Sequence, residues 1–389
     1  MAGKRSVFEE VGQGTTSAQP PQGGMIAARR LGARRGIRIW LVTLFLLVAT
    51  MIAVGGMTRL TDSGLSITEW RPVTGAIPPL DAATWESEFE KYRAIPEYQL
   101  QNKGMSLEEF KVIYWWEWGH RQLGRVIGLV WFLGFVGFLV TRNIPAGWTG
   151  RLLGLGALGG LQGAIGWWMV SSGLTGTMLD VKSYRLATHL GLAFVILGLI
   201  AWYVFLLGRS EAELMQARRG REAKLFSMTT GLMHFAFLQI LLGALVAGID
   251  AGRAFPTWPD MNGSFFPADA FYVPDGQGGT LPVWHAFFEN PGLVQFMHRM
   301  SGYLLAVFAV VVWLRGRKSA HGVTRAAYHA VLAAMAVQVG LGIAAVLTAA
   351  HVHVAITHQI AAVILWVLII RARHLAQYPV AGSIREGTA

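Results

Sequence analysis

The stretch WGHRQLGRVIGLVWFLGFVGFLV (118–140) decides the fold, because it carries no charged residue between Arg125 and its end. A helix needs about 20 predominantly apolar residues to cross a bilayer, and this stretch is long enough. Seven further apolar runs occur along the chain. The eight predicted spans are residues 39–57, 118–140, 152–170, 184–207, 225–249, 293–314, 326–349 and 356–370. The sequence therefore predicts an all-α polytopic membrane protein with eight transmembrane helices.

The composition supports this fold class. Of the 389 residues, 53% are hydrophobic and only 14% are charged, whereas about a quarter of a typical soluble protein is charged. These values exclude an ordinary soluble enzyme. Cysteine is absent, which also excludes disulfides, thiolate metal sites and cysteine nucleophiles. Any metal site in this chain must use histidine, methionine or carboxylate ligands.

The basic residues predict the orientation of the chain in the membrane. Most of the 33 Lys and Arg residues lie in the two terminal segments and in the connections 141–151, 208–224 and 315–325. By the positive-inside rule these segments, and hence both termini, are cytoplasmic. The net charge of +11 then serves topology and contact with the lipid bilayer, so no nucleic-acid partner is predicted. The first 30 residues lack an apolar signal sequence, and a bacterial inner (plasma) membrane is the favoured location.

The chain divides at its polar segments. Two connections on the side away from the basic segments are long, and the first has enough Trp and Leu to pack as a cap. The predicted units are a disordered cytoplasmic arm (1–36), an N-terminal four-helix bundle (37–207) with a long outer loop (58–117), a cytoplasmic linker (208–224), a C-terminal four-helix bundle (225–372) and a cytoplasmic tail (373–389).

An internal repeat relates the two halves. HRQLGR (120–125) and HRMSGY (298–303) each stand at the outer start of an even-numbered span, and the triplets THL and THQ contain His189 and His358. The third and seventh spans also share a Gln followed by a Gly at similar depth. Four spans per half give both halves the same orientation, so we expect two repeat-related four-helix bundles.

Four histidines lie at one depth, near the outer ends of the even-numbered spans. The repeat pairs His120 with His189, and His298 with His358. Any one of them, taken alone, is equally well explained by a hydrogen bond to a neighbouring helix. Two imidazoles on facing helices, without thiolate or carboxylate partners, suit axial ligation of haem iron better than a four-ligand zinc site. The set of four therefore predicts two bis-histidine haem sites.

Glycine and arginine flank the histidines that begin the second and sixth spans. Gly124 and Gly302 follow their histidines by four residues, so they lie on the same helix face and leave room for a flat macrocycle. Arg121 and Arg299 follow the histidines directly. These arginines could meet haem propionates, and anchoring at lipid headgroups by snorkelling explains them equally well.

The two halves differ in one acidic residue. Glu117 stands three residues before His120, whereas Gln295 occupies the matching position before His298. A carboxylate buried beside a haem could accept a proton or stabilise an electron-poor intermediate. The alternative is a glutamate at the end of a loop, exposed to water.

The remaining candidates carry weaker signals. Arg125 could pair with a propionate or with Glu117. His234 lies in the fifth span, where a helix-to-helix hydrogen bond explains it adequately. His351 and His353 flank a short outer turn, and solvent exposure explains them better than an accessory metal site does.

Six motifs, in order, resemble the haem A synthase family in its proteobacterial and mitochondrial branch. The resemblance covers about residues 37–372. The motifs are GGMTRLTDSGLSITEWRPVTGAIPP (55–79), EWGHRQLGR (117–125), LATHL (186–190), FPTWPDMNGSFFP (255–267), FMHRMSGY (296–303) and ITHQI (356–360). The family members that carry cysteine pairs in their outer loops differ from this chain, which has no cysteine.

The resemblance implies an inner-membrane enzyme that oxidises a ring methyl of haem O to the formyl group of haem A for cytochrome oxidase. It implies that His120 and His189 hold the substrate haem O, that His298 and His358 hold a resident haem B, and that Glu117 is the catalytic acidic residue. It also implies a prenyl transferase that makes haem O, an electron donor and oxidase assembly factors as partners, and homo-oligomers.

Two other functions remain open at this point. A di-haem b-type cytochrome that only carries electrons explains the four histidines equally well, but it leaves Glu117 and the long outer loop without a task. A transporter built from repeats would use the histidines as proton relays. The polar residues cluster at one leaflet rather than at the midplane, which argues against a transporter.

Overall fold

The computed structural model describes residues 25–176 and 179–380, with side chains from Gly32 onwards. Within these residues, eight helices are long and apolar enough to cross a membrane. Spans 1 to 8 are Gly32–Leu60, Leu107–Val140, Thr149–Val170, Ser183–Leu207, Ala223–Gly248, Pro291–Gly316, Gly322–Leu347 and Val352–Gln377. The prediction of an all-α membrane protein with eight spans is confirmed. In the described residues the only β structure consists of isolated bridges.

Some spans extend beyond their apolar runs because polar residues continue the helix. Span 2 begins at Leu107, where Ser106 and Glu109 form a reciprocal capping box. Span 8 continues to Gln377, although its apolar run ends near Ile370. Hydropathy marks the part of a helix that lies in lipid, so it does not detect these polar ends.

The spans of each half close a ring of four helices. Span 1 packs against spans 2 and 4, and span 3 packs against the same two. Span 5 packs against spans 6 and 8, and span 7 packs against the same two. The halves meet through spans 1 and 4 on one side and spans 5 and 8 on the other. This order of neighbours is the one expected for two four-helix bundles side by side, while the repeat that relates them stays a prediction.

The largest buried cluster lies where the two halves meet. It includes Leu197 of span 4, Leu232 of span 5 and Ile369 of span 8, none of which is exposed. Trp366 Nε1 donates a hydrogen bond of 3.0 Å to the carbonyl of Phe194 across this interface. The outlying spans 2, 3, 6 and 7 instead present large apolar side chains outward, as a lipid-facing surface requires. They include Leu129, Phe132, Leu133, Leu161, Leu304, Val307 and Val337.

The connection between spans 1 and 2 folds into a cap. Its helical elements are Thr74–Ala76, Ala82–Arg93 and Pro96–Leu100. Phe89 and Tyr92 are fully buried, with ring centroids 4.9 and 5.2 Å from that of Phe110 at the start of span 2. This cap and the connection between spans 5 and 6 lie at the same ends of the spans, which we call the loop side. Aromatic burial therefore holds the cap against the helix that carries His120 and Glu117.

The predicted disordered arm (1–36) is wrong in its second part. From Met25 to Leu60 the backbone forms one continuous helix. Residues 1–24 lie outside the described residues. Alanine and arginine are good helix formers, so a segment rich in them extends span 1 instead of ending it.

The other polar units also contain helix. The linker 208–224 includes the helix Glu211–Arg219. The outer loop 58–117 is shorter than predicted because span 2 begins at Leu107. The tail 373–389 begins inside span 8, and its residues 381–389 lie outside the described part of the chain.

Candidate functional site

The four predicted histidines lie near the loop-side ends of the even-numbered spans, and all four are half-buried. His120 of span 2 and His189 of span 4 stand on opposite helices of the N-terminal ring of four. His298 of span 6 and His358 of span 8 stand likewise in the C-terminal ring. The structure thus places each pair that the sequence repeat indicates within one ring.

A glutamine on the preceding span contacts three of the four histidines. In each case the amide Nε2 donates to the backbone carbonyl of the histidine and lies beside its ring Nδ1. The two distances are 3.0 and 3.2 Å for Gln162 and His189, 2.9 and 3.1 Å for Gln239 and His298, and 3.2 and 3.3 Å for Gln338 and His358. Sequence analysis noted a shared Gln in spans 3 and 7 but did not predict these contacts.

Glycines let each histidine ring lie against the preceding span. A Cβ added at any of four glycines would come within 3.2 Å of a ring atom, so a side chain there would displace the ring. The contacts are Gly55 with His120 at 3.0 Å, Gly166 with His189 at 2.9 Å, Gly243 with His298 at 3.1 Å and Gly342 with His358 at 3.2 Å.

The residues present fit a haem with two axial histidines. In the described part of the chain no group of three or more His, Cys, Asp or Glu residues could hold a metal ion. Gln162 and Gln338 each have a buried Oε1 without a hydrogen-bond partner. An imidazole that ligates iron through Nε2 carries a proton on Nδ1 and needs an acceptor for it. In the structure these side chains present Nε2 to Nδ1, so the amide of Gln162 or Gln338 would have to turn before its Oε1 could accept this proton.

Glu117 is buried one turn before His120, with 2% of its surface exposed. Its Oε2 accepts hydrogen bonds of 2.7 Å from the Ser66 hydroxyl and from the Ile67 N–H. Its Oε1 forms an ion pair of 2.6 Å with Arg121 Nη2. Burial of an ion pair requires compensating hydrogen bonds of this kind. A water-exposed glutamate at the end of a loop is therefore excluded.

The matching position in the C-terminal half is neutral. Gln295 is also 2% exposed. Its Oε1 accepts a hydrogen bond of 3.3 Å from Arg299 Nη2, and its Nε2 donates to the carbonyl of Phe255 at 3.4 Å. The two halves thus hold the same arrangement of side chain and arginine, with a carboxylate beside the arginine in one half and a neutral amide in the other.

The arginines that follow the histidines hold the loops above them. Arg121 donates to the carbonyl of Ile67 at 2.7 Å. Arg299 donates to the carbonyls of Phe255 and Asp260, both at 2.8 Å. These bonds fix each loop to the helix that carries a histidine. Contact of either guanidinium with a propionate stays a prediction.

Arg125 does not pair with Glu117, so that alternative is wrong. Its Nε and Nη2 donate to the carbonyls of Pro72 and Arg71 at 2.9 and 3.0 Å. Arg121 lies one turn closer to the carboxylate and forms the ion pair instead. A contact between Arg125 and a propionate stays a prediction.

The two flanking glycines face the preceding span. A Cβ at Gly124 would lie 3.4 Å from Met51 Cε, and a Cβ at Gly302 would lie 3.1 Å from Gln239 Nε2. Both glycines therefore allow close approach of a side chain from the neighbouring helix. Room for a macrocycle at these positions stays a prediction.

The chain matches the family model described as cytochrome oxidase assembly protein (COX15-CtaA) over residues 38–370. It belongs to the haem A synthase family. A protein named haem A synthase from Cereibacter sphaeroides is 64% identical over 99% of both chains. Its namesake from Paracoccus denitrificans is 65% identical over 98% of both chains, and that from Roseobacter denitrificans is 63% identical over 99% of this chain and all of the relative. The predicted family, in its proteobacterial branch, is confirmed.

Three further histidines of this family member, His234, His351 and His353, are exposed. His234 is exposed, and its Nδ1 lies 2.8 Å from the carbonyl of Thr230 on the same span. The helix-to-helix hydrogen bond predicted for it is wrong. His351 and His353 are exposed, with ring centroids 5.3 Å apart. Solvent exposure, the reading that the sequence favours for them, is confirmed.

Sequence analysis missed a charged cluster that joins the halves on the loop side. Arg59 at the end of span 1 pairs with Asp62 at 2.8 Å, with Asp250 at 2.9 Å and with Asp180 at 3.4 Å. These aspartates come from three different connections between spans. In the sequence, Arg59 and Asp62 stand out only as part of the motif at 55–79, because pairing between distant loops leaves no local pattern.

Another deeply buried carboxyl lies in the cap. Glu97 is 3% exposed, and its Oε1 accepts hydrogen bonds from the Tyr92 hydroxyl at 3.2 Å and from Asn102 Nδ2 at 3.3 Å. Burial raises the pKa of Glu97 from its ordinary value of 4.5 to about 8, with a smaller increase from the charge of Glu117. The hydrogen bond from Tyr92 lowers this pKa in part. Glu97 lies in a polar loop segment, so no sequence signal distinguished it.

Proposed function

We propose that this chain oxidises a ring methyl of haem O to the formyl group of haem A. The observation that carries the proposal is Glu117, a buried carboxylate one turn from His120. The relatives that cover nearly the whole chain are named haem A synthase. Gln295 at the matching position supports a division in which one half performs the chemistry and the other transfers electrons.

The two histidine pairs would hold two haems with different tasks. His120 and His189 would ligate haem O as the substrate. His298 and His358 would ligate a resident haem B. When bound, haem B supplies one-electron transfer. The family resemblance supports this assignment of the two haems to the two pairs.

In this proposal Glu117 accepts protons that the substrate releases. Oxidation of a methyl group by successive hydroxylations gives a gem-diol that loses water. Written as a half-reaction, the methyl group and one water become a formyl group, four protons and four electrons, and the electrons pass to an oxidant that this chain does not itself supply. A positioned carboxylate that accepts such protons accelerates a reaction by typically 10²–10⁴-fold. Arg121 holds one oxygen of this carboxylate, while Ser66 and Ile67 hold the other.

The cap keeps water away from this carboxylate. Ser66 and Ile67, which bind Glu117, are 1% and 9% exposed. Exclusion of water strengthens the electrostatic effect of a fixed charge on a reacting group. The cap also carries the loop carbonyls that Arg121 and Arg125 bind, so the same segment covers the site and positions its charges.

We place the protein in the bacterial inner membrane with both termini in the cytoplasm, because the basic residues cluster in the terminal segments and in the connections opposite the loop side. Both histidine pairs then lie near the outer leaflet. The proposed partners are the prenyl transferase that makes haem O, an electron donor and oxidase assembly factors, with assembly into homo-oligomers.

A di-haem cytochrome that only carries electrons is not favoured. The relatives named haem A synthase are 63–65% identical over nearly the full chain. An electron carrier would give the buried ion pair of Glu117 and Arg121 no role. It would also not explain why only one of two similar sites has such a pair.

Expression in a host that makes haem O but no haem A tests the proposal. The haems are extracted from the purified protein and weighed by mass spectrometry, with a preparation from cells that lack the gene as the control. We expect haem A or its hydroxylated precursor. Haem B together with unaltered haem O, despite a verified supply, would contradict the proposed oxidation.

A further inference from the structure

Each of the four histidines lies against a glycine of the preceding span, and each of these glycines follows a glutamine or a methionine by four residues. Three of these positions hold glutamine and one holds methionine. The pairs are Met51 and Gly55, Gln162 and Gly166, Gln239 and Gly243, and Gln338 and Gly342. Residues four apart share a helix face, so the glycine admits the ring and the residue one turn earlier lies beside it.

Met51 occupies the place that Gln239 has in the other half. Gly124 and Gly302 stand at matched positions, four residues after His120 and His298. A Cβ on the first would meet Met51 Cε at 3.4 Å, and a Cβ on the second would meet Gln239 Nε2 at 3.1 Å. The two side chains therefore face equivalent points of the two sites, one with a thioether and the other with an amide.

His120 differs from the other three histidines accordingly. No residue among 32–176 and 179–380 forms a hydrogen bond with its ring. It turns Nε2 and Cδ2 toward the neighbouring glycine, at 3.0 and 3.5 Å from an added Cβ. The other three rings turn Cε1 toward theirs, with Nδ1 as the nearer nitrogen. The ring orientation thus differs between the three sites that have a glutamine one turn before the glycine and the one site that has a methionine there.

This difference would affect how firmly each histidine binds iron. An iron-bound imidazole donates Nδ1–H to an acceptor, which fixes the ring plane and makes the imidazole a stronger ligand. In the structure each glutamine holds its histidine through Nε2, which donates to the histidine carbonyl and lies beside Nδ1. Oε1 is buried without a partner in Gln162 and Gln338 and accepts from the Ser301 hydroxyl in Gln239, so an amide oxygen would face Nδ1–H only after the amide turns. The sulfur of Met51 is only a weak acceptor.

We propose that Gln162, Gln239 and Gln338 are positioning residues for three axial histidines, and that Met51 leaves His120 as the one axial ligand that the iron can release. This inference rests on haem binding by the four histidines, which is part of the proposed function, but not on the methyl oxidation. The N-terminal site then has one firmly held ligand, while the C-terminal site has two, as suits electron transfer.

Reciprocal exchange of the two side chains tests the inference. The purified full-length protein is loaded with haem B and haem O in the absence of oxidant and then reduced. Carbon monoxide is the probe, and its binding is followed by absorbance. We expect the wild type to bind carbon monoxide at one site. Met51→Gln should weaken this binding by about 10–100-fold, and Gln239→Met should open a second site.

Matched variants separate positioning from general damage. Met51→Leu keeps an apolar side chain of similar size, so carbon monoxide should bind as in the wild type. Gln338→Met should open the C-terminal site in the same way as Gln239→Met. Electron paramagnetic resonance of the oxidised protein reports the ring planes of each haem. Each exchange should move the signal of its own site only, whereas a structural defect would lower haem content without this selectivity.

The outcomes distinguish this inference from the proposed function. Unchanged carbon monoxide affinity in both exchange variants, with full haem content and bis-histidine spectra, would overturn the inference and leave the proposed function standing. A wild type that takes up no haem would overturn both. Haem A formation, measured separately on the same proteins, tests the oxidation alone.

Discussion

The N-terminal and C-terminal sites have similar arrangements of helices and loops but differ in the residue types at two positions. Each site has a half-buried histidine pair and an arginine that binds the loop above it. The N-terminal site has Glu117 where the C-terminal site has Gln295, and Met51 where the other has Gln239. The two halves thus share a scaffold but differ in a carboxylate against an amide and in a thioether against an amide.

The loops above the two sites differ as well. The cap over the N-terminal site buries the carboxyl of Glu97, and this burial raises its pKa to about 8. In the loop over the C-terminal site, Asp260 and Asp275 lie at the surface. Hydrogen bonds from the Thr257 hydroxyl and from the Gln277 N–H lower the pKa values of Asp260 and Asp275 respectively. The two loops therefore respond to pH in opposite directions.

Removal of the charge at Glu117 should erase the main difference between the two sites and cause the largest loss of activity. Glu117→Gln makes the N-terminal site resemble the C-terminal one. We expect haem A formation to fall by about 10²–10⁴-fold, while the haem spectrum stays unchanged, because a proton acceptor is lost and no axial ligand is touched. The rate is measured in membranes and divided by haem content. Gln295→Glu, which adds a carboxyl to the other half, is the control and should give no gain. A full rate in Glu117→Gln would remove this residue from the mechanism.

The cap should lose stability as the pH rises from about 4.5 to about 8. Below this window Glu97 is neutral in both the folded and the unfolded chain. Within it the unfolded chain ionises first, because the folded pKa is raised, and stability falls until both states are ionised. The loss is on the order of a few kcal/mol.

Hydrogen exchange of residues 82–100 across this pH window checks the prediction. Glu97→Gln cannot ionise, so the protection of its cap should stay level. The loop of Asp260 and Asp275 should not weaken in this window, because their lowered pKa values confine any loss of stability to more acidic conditions. Parallel pH dependence in the wild type and Glu97→Gln would contradict the assignment to this carboxyl.

A smaller effect should follow from loosening Glu117 without removing its charge. Ser66→Ala deletes one of three hydrogen bonds to the carboxylate and leaves those from Ile67 and Arg121. We expect haem A formation to fall about tenfold at unchanged haem content, since a hydrogen bond to a charged group contributes roughly 1.5 kcal/mol or more. Ser63→Ala in the same loop is the matched control. Equal rates in the two variants would show that the Ser66 hydroxyl does not position the carboxylate.

The spans and the candidate ligands could be predicted from the sequence because lipid imposes strong composition rules. A span must be apolar over its length, so histidines within it stand out, and the repeat pairs them. The difference between Glu117 and Gln295 is likewise visible once HRQLGR and HRMSGY are aligned.

The contacts around these residues could not be predicted, because they depend on loops and on neighbouring helices. Arg121 and Arg125 both precede the same apolar run, yet only Arg121 reaches Glu117. The bonds from Ser66 and Ile67 come from a loop about 50 residues away in sequence. The start of span 2 at Leu107 depends on a capping box in a polar segment, which hydropathy does not register.

The central claim is that the N-terminal histidine pair holds the substrate and the C-terminal pair holds the resident haem. Mass spectrometry of the haems extracted from His120→Ala and His298→Ala, expressed with a haem O supply, tests it most directly. We predict that His120→Ala keeps haem B and loses haem O and its oxidised products, whereas His298→Ala loses haem B. The reverse distribution, or loss of the same haem from both variants, would contradict the account.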